Sequence, residues 1–406
     1  MKDELSNDGS IFSDEQKEKN IRKNIKQNTN NDTNKNTKSN TDSRWKDLSQ
    51  RLISAFILVS SYVILILMGH FYCTLFLIFI IYQIFREIIS LPNYDKRNKS
   101  IKNMNSISWT FFWIGAYGVY FYSLSEQFNY LKKYKICEFL FNYHLFICFI
   151  LWACNFFRFF LNLQKGVMRY QIGQLGLVHF LFLIFTIPTG LMYYNLMNGF
   201  IWYIFPIVMI IVNDTFAYIC GRAFGRHQLT VISPKKTWEG YLGAIIFTVI
   251  SGFFLTKLAM KYDFLVCPET KINLIPFDAL NLKCDSSFIK EVLYSYDLKY
   301  YTIEITRLHI HTTVICLFAS VYGPMGGLFA SSFKRSIGIK DFSDFIPGHG
   351  GMTDRMDCQF IMSAFTYVYL STFLFKSNKV ENVLENIDTM NNEDKLKILK
   401  YIKNMF

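Results

Sequence analysis

Apolar residues in this chain gather into runs of about 17–24 residues separated by polar stretches. As helix, a run of that length crosses roughly 30 Å of hydrocarbon. Nine spans are predicted, at 52–69, 71–90, 107–124, 139–162, 175–195, 199–217, 240–259, 311–331 and 358–376. Pro188, Pro206 and Pro324 fall inside runs, where packed neighbours tolerate a kink. Residues 1–45 are polar and of low complexity, and they bury too little apolar surface to offset their ordering entropy. A disordered tail is expected there, with no apolar core of a signal peptide and too many acids for a transit peptide. Beyond the last run, Val380, Val383, Leu384 and Ile387, then Leu396, Ile398, Leu399 and Ile402, recur at helical spacing. This predicts an amphipathic tail, broken near Asn391-Asn392, that lies either on the membrane or against the protein. The pattern therefore describes an all-α, polytopic integral membrane bundle of about nine transmembrane helices. Its parts are a tail at 1–45, an embedded domain at 46–376 and an amphipathic segment at 377–406.

Composition narrows the class. Of 406 residues 51% are apolar and 18% aromatic, which excludes an ordinary soluble enzyme, a secreted disulfide framework and a basic chromatin-type protein. Mean hydropathy is only +0.18 because long polar segments dilute the spans. The net charge is +12, yet residues 1–50 hold ten Lys/Arg against nine Asp/Glu, so the surplus sits in loops between spans. Such loops suit anionic lipid or phosphate-bearing substrates. No long basic face with interleaved aromatics appears, which argues against nucleic acid.

With the N-terminal tail in the cytosol, counting across places the clusters around Lys96–Lys102, Lys165–Arg169, Arg222–Lys236 and Lys334–Arg355 inside. Lys132, Lys133 and Lys135 fall outside, against the rule, as does the Lys-rich C-terminus. Six of the nine cysteines lie in or beside apolar runs, as small hydrophobes. Cys267 and Cys284 share one polar loop and would pair if it faced an oxidising lumen. There is no Cys-x-x-Cys pair to suggest zinc.

Candidate chemistry lies in three segments. Asp214, Tyr218 and Arg222 are four apart at the end of a span and share a helix face; an acid there marks a functional site or an ion pair to Arg222. Next comes Ser233-Pro-Lys-Lys-Thr-Trp-Glu-Gly240, read as a helix start with Ser233 as N-cap and Pro234 in the first turn. Lys235 and Lys236 would then crowd a helix N-terminus, a conflict that a bound phosphate resolves; otherwise they reach lipid headgroups. The third segment, Ser331 to Asp357, holds Lys334, Arg335, Lys340, Asp341, His349, Asp354, Arg355 and Asp357 around Pro-Gly-His-Gly-Gly. Asp354 and Asp357, three apart, can face one metal, and hard oxygen ligands with water in the remaining positions suit Mg²⁺. A His/Asp/Asp zinc site and a plain solvated loop are the alternatives. Acids for a metal and cations for phosphates, at a membrane surface, point to phosphoryl or nucleotidyl transfer to a lipid. No Walker, Gly-x-Gly-x-x-Gly or kinase motif is present.

The Ser331–Asp357 segment resembles the signature of the phosphatidate cytidylyltransferase (CDP-diacylglycerol synthase) family. The match runs through Ser331, Phe333-Lys334-Arg335, Lys340-Asp341, Ser343, Ile346-Pro347, His349-Gly350-Gly351, Asp354-Arg355 and Asp357. Asp214, Tyr218, Gly221-Arg222 and Ser233–Gly240 resemble the upstream motif, so the likeness covers about Trp45 to Lys376. It implies that CTP and phosphatidic acid give CDP-diacylglycerol and pyrophosphate with Mg²⁺, in phospholipid biosynthesis. It further implies an active site on the cytosolic face of the endoplasmic reticulum or a related organelle, among membrane lipids, with a homo-oligomer left open. On this likeness Asp214, Asp354 and Asp357 are metal ligands. Arg222, Ser233, Lys235 and Lys236 are assigned to the triphosphate. Ser331, Lys334, Arg335 and Arg355 are assigned to substrate phosphate, and Lys340, Asp341 and His349 assist in ordering and charge neutralisation. Bacterial members carry Gly-Asp before the Ser-x-x-Lys-Arg element, whereas Gly327 stands at the place of that acid here. This departure resembles the eukaryotic branch, leaves the number of metal ions open and calls on Asp214 or Asp341 to compensate. A CTP-dependent lipid or polyprenol kinase and an anion transporter are the competing readings.

Overall fold

Long runs without a solvent-facing polar stripe satisfy their backbone internally only as helix, and helices dominate the chain. A computed structural model describes residues 50, 53–91, 100–127, 133–230, 233–269, 274–284, 287–298, 301–346, 350–374, 387 and 390–403. The expected disorder of 1–45 lies outside these. The chain divides into residues 1–61 with 346–349, and residues 62–345 with 350–406; the described site residues all belong to the second unit.

In chain order the helices begin with α1 (Ile53–Met68), α2 (His70–Ile89), α3 (Met104–Gln127), α4 (Lys135–Asn142) and α5 (His144–Leu161). Then α6 (Met168–Leu181) runs through a π turn, Phe182–Thr186, into α7 (Ile187–Met197). The wider turn directly precedes Pro188, whose ring lacks an N–H and crowds the preceding turn of an α-helix. After α8 (Phe200–Phe224) a hairpin of β1 (Gln228–Thr230) and β2 (Ser233–Thr237) leads to α9 (Trp238–Ala259). Short helices α10 (Asp263–Val266) and α11 (Ser287–Lys290) precede a second hairpin, β3 (Val292–Leu298) with β4 (Tyr301–Thr306). The chain continues through α12 (Arg307–Ser336), α13 (Thr353–Phe373) and α14 (Asn392–Lys403).

Each of the nine expected spans overlaps a helix. Among the described residues six helices are long and apolar enough to cross a membrane: α2, α5, the α6–α7 rod, α8, α9 and α12. The expected count of nine is not reached by that measure. In its described part α1 is short, and α3 and α13 are diluted by serine, threonine, tyrosine and tryptophan.

Two cores hold the bundle. Leu77, Ile81, Ile107, Phe159 and Leu196 anchor the first; Met209, Ile315, Ala319 and Met362 anchor the second, among α8, α12 and α13. Between helices, Thr256 Oγ1 donates to Thr312 Oγ1 (2.8 Å), Thr248 Oγ1 to Asn213 Oδ1 (3.3 Å) and Asn195 Nδ2 to the Ser363 carbonyl (2.9 Å). Such bonds average about 0.6 kcal/mol each in a membrane, so they align helices more than they bind them.

Residues 263–269 and 274–284 lie at one end of the bundle. Glu269 N donates to Met197 O (2.8 Å) and Phe277 N to Met68 O (3.4 Å), and a disulfide joins Cys267 to Cys284. Burial, then the nearby Asp278, holds the Glu269 carboxyl above its ordinary range beside His70 (3.5 Å). The hydrogen bond from Lys290 holds Asp263 below it. In α14 the apolar residues Leu396, Leu399 and Ile402 are exposed.

Candidate active site

The chemistry lies toward the opposite end of α8 and α12; Asp214 stands about 21 Å along α8 from Phe200 at 1.5 Å per residue. Helix α8 runs on past Asp214, so Asp214, Tyr218 and Arg222 do share a face. Of the two roles open to Asp214, the ion pair to Arg222 is not seen; Arg222 Nη1 donates to Tyr218 Oη (3.0 Å). Asp214 lies instead within electrostatic range of Lys236 and Arg355.

The 233–240 segment departs from expectation. Ser233 is not a helix cap, and Pro234, Lys235 and Lys236 are not in a first helical turn. They form strand β2, with Ser233 opposite Thr230 and Thr237 opposite Gln228. The helix starts at Trp238, where the Thr237 hydroxyl accepts from Gly240 N (3.2 Å). Extended backbone carries Lys236 toward Asp214, so the ammonium is placed by a strand rather than by a helix dipole. The Lys235 side chain and His349 lie outside the described residues.

The third segment is organised by two carboxylates. Asp354 Oδ1 accepts from Lys334 Nζ (2.6 Å), and its Oδ2 accepts from Phe342 N and Gly351 N (both 3.0 Å). Lys334 also sits 5.7 Å above the Phe342 ring. A carboxylate has about four acceptor sites, and three of those on Asp354 are filled, so it orders the loop around it.

The second carboxylate, Glu87 on α2, was not a candidate. It is 7% exposed. Its Oε1 accepts from Ser343 Oγ (2.8 Å) and Met352 N (2.7 Å), and its Oε2 accepts from Thr353 N (2.9 Å) and Thr353 Oγ1 (2.7 Å). An anion at the start of α13 complements the helix dipole and satisfies two donors that the helix leaves open. A Cβ on Gly351 would stand 2.8 Å from Glu87 Oε2, so only glycine lets the backbone approach this closely. The signal for Glu87 was present, as one of few acids within an apolar run.

Asp357, one turn into α13, accepts from Cys358 N (2.8 Å) through Oδ1 and lies within electrostatic range of Lys334 and Asp214. Its Oδ2 faces Gly327: a Cβ there would lie 3.8 Å away, so an acid at that position would stand beside Asp357. Asp341 is exposed next to Gly350, whose φ is 83°. Lys340 and Arg355 are exposed and Ser331 half-buried, while Arg335 Nη1 donates to Ile339 O (3.1 Å) past the end of α12.

Among the described residues no group of three or more His, Cys, Asp or Glu forms a metal cluster. A two-carboxylate set remains in Asp214 and Asp357, from helices α8 and α13. Magnesium commonly takes one or two carboxylates and completes its shell with water and substrate phosphate, so the donor chemistry fits that ion. Beside Asp357 a cavity of about 530 Å³ opens between α6–α7, α12 and α13.

Carboxylates and ammonium groups thus gather toward one end of helices long and apolar enough to cross a membrane. The model of the cytidylyltransferase family matches residues 49–373. The chain is 35% identical over 372 residues to phosphatidate cytidylyltransferase 1 of Homo sapiens, covering 89% of this chain and 79% of that protein. It is 34% identical over 355 residues to phosphatidate cytidylyltransferase 1 of Arabidopsis thaliana, covering 86% and 84%. With phosphatidate cytidylyltransferase of Saccharomyces cerevisiae it shares 33% over 361 residues, covering 87% and 79%. The chain belongs to the cytidylyltransferase family.

Proposed function

We propose that the chain transfers the cytidylyl group of CTP to phosphatidic acid, giving CDP-diacylglycerol and pyrophosphate. The observation that supports this reading is that Asp214 lies within electrostatic range of Lys236, Arg355 and Asp357, the last two from a segment over a hundred residues away. A phosphate oxygen of phosphatidate forms the new bond to the α-phosphorus of CTP, and the α–β bond breaks to release pyrophosphate. The phosphate monoester is already anionic near neutral pH, so no strong general base is required. The chain's task is then positioning and charge neutralisation.

Lys236, with Lys235 and Arg222 on the same hairpin and helix end, is assigned to the triphosphate. Lys334, held by Asp354, is assigned to the lipid phosphate; an ammonium has three donors, so its ion pair leaves capacity for a substrate oxygen. Asp214 and Asp357 would hold Mg²⁺, which when bound supplies positive charge to the triphosphate. Asp354 and Glu87 keep Phe342, Ser343 and Gly351–Thr353 in place for this arrangement.

The disulfide supports a sidedness. Such bonds persist in the endoplasmic reticulum lumen and are rare in the cytosol. Cys267–Cys284 lies at the end of α8 remote from Asp214, which favours a cytosolic site in that membrane. The test is purified protein in detergent with CTP, phosphatidic acid and Mg²⁺. Release of pyrophosphate with CDP-diacylglycerol supports the reading, whereas release of CDP with a phosphorylated lipid replaces it with a kinase.

A further inference from the structure

Glu239 belongs to the Ser233–Gly240 motif, yet its hydrogen bonds run away from the charged groups assigned to substrate. Its carboxylate turns back to the residues that precede β1. Oε2 accepts from Arg226 N (3.0 Å), both oxygens accept from His227 N (3.2 Å), and Oε1 accepts from His227 Nδ1 (2.6 Å). Beside them Trp238 N donates to His227 O (3.0 Å). The chain entering β1 and the chain leaving β2 are thereby joined at one point, the first turn of α9. An acid in that turn also complements the helix dipole.

That joint is fixed in turn to α8. A Cβ on Gly240 would stand 2.7 Å from the Ala217 carbonyl and 2.9 Å from Gly221 Cα, so α8 and α9 touch backbone to backbone. Gly221 lies roughly 10 Å along α8 from Asp214 at 1.5 Å per residue. Beyond the joint the hairpin has only its own ladder, Gln228 with Thr237 and Thr230 with Ser233, and that ladder is irregular between Gln228 and Thr230. A two-stranded hairpin by itself is marginally stable in water, so its shape depends on how its ends are held. Lys236, in β2 next to Thr237, lies within electrostatic range of Asp214. Its ammonium ends a flexible four-carbon stem, and a fixed backbone narrows where that charge sits.

We propose that Glu239 is a positioning residue: by closing the base of the β1–β2 hairpin it holds Lys236 where the triphosphate of CTP binds. The inference rests on the function proposed above and works through Lys236. With its acceptor sites largely filled by Arg226 and His227, Glu239 does not compete with phosphate for the Lys236 ammonium.

The test measures equilibrium dialysis of labelled CTP, and initial rates, on the full-length chain in detergent with Mg²⁺. Glu239→Ala is expected to raise both Kd and KM for CTP about tenfold, the worth of one charge-assisted hydrogen bond, while KM for phosphatidate stays within about twofold of wild type. Glu239→Gln keeps one carbonyl acceptor and should recover part of that affinity. The decisive readout is the double variant. If Glu239 acts through Lys236, then Glu239→Ala combined with Lys236→Ala binds CTP no more weakly than Lys236→Ala alone, as coupled groups do. A scaffold role independent of Lys236 multiplies the two losses, and that result overturns the proposal, as does wild-type CTP affinity in Glu239→Ala. Should Glu239→Ala not fold, Glu239→Gln with and without Lys236→Ala carries the same comparison. Wild-type protein that binds CTP but forms no CDP-diacylglycerol removes the reaction proposed above, and the Kd values still decide on Glu239. Turnover as proposed, with CTP affinity indifferent to residue 239, removes the positioning role alone.

Discussion

At one end of the helices Glu87 gathers four hydrogen bonds from the 343–353 segment; at the other, Cys267 and Cys284 close a loop covalently. Both devices pin irregular backbone onto helix ends. They differ in what they demand of the sequence. A disulfide tolerates variation in the loop it closes, while the Glu87 clamp requires a glycine at 351, a hydroxyl at 343 and two free N–H groups at the start of α13. The clamped end also holds Asp357 within electrostatic range of Lys334 and Asp214, so a displacement there moves charges. A displacement at the disulfide end moves only a cover.

The comparison breaks most sharply at Asp357. Asp357→Asn should reduce turnover by roughly 10²–10³-fold, the range seen when a preorganised charge-stabilising group is lost, with the thermal unfolding midpoint in detergent nearly unchanged. Glu87→Gln comes next. Each buried N–H left without an acceptor costs about 1–3 kcal/mol, so the midpoint should fall, and kcat should drop about tenfold or more while KM for CTP moves less. An active variant of wild-type stability would show that the clamp is dispensable. Lys236→Ala should raise KM for CTP about tenfold, the worth of one charge-assisted hydrogen bond, as read by initial rates at saturating phosphatidate. Unimpaired CTP affinity would remove Lys236 from the triphosphate. The smallest effect on catalysis is expected from Cys284→Ser. The 17-residue separation of the two cysteines implies a loss of about 3 kcal/mol of stability, with turnover at moderate temperature within about twofold of wild type.

Much of this was legible along the chain. Apolar runs fix helix positions because backbone in hydrocarbon has few alternatives, and all nine runs overlap helices. The meeting of the 213–240 and 331–357 segments was also readable, since both carry cations and acids beside spans. Two features were misread or missed for physical reasons. Ser233-Pro234 imitates a helix start, yet the hydroxyl that caps α9 is that of Thr237, four residues on; local propensity could not reveal that β1 pairs with the intervening residues. Glu87 was visible as an acid in an apolar run, but its partners lie more than 250 residues away in sequence, and only the folded chain brings them together.

The account turns on Asp214 and Asp357 acting as one unit. The most direct measurement is the Mg²⁺ dependence of CDP-diacylglycerol formation in Asp214→Asn, Asp357→Asn and the double variant. Each single substitution should lower turnover about as much as both together, with more Mg²⁺ needed for half-saturation, as expected of groups that share one function. Wild-type turnover and Mg²⁺ response in Asp214→Asn would contradict it.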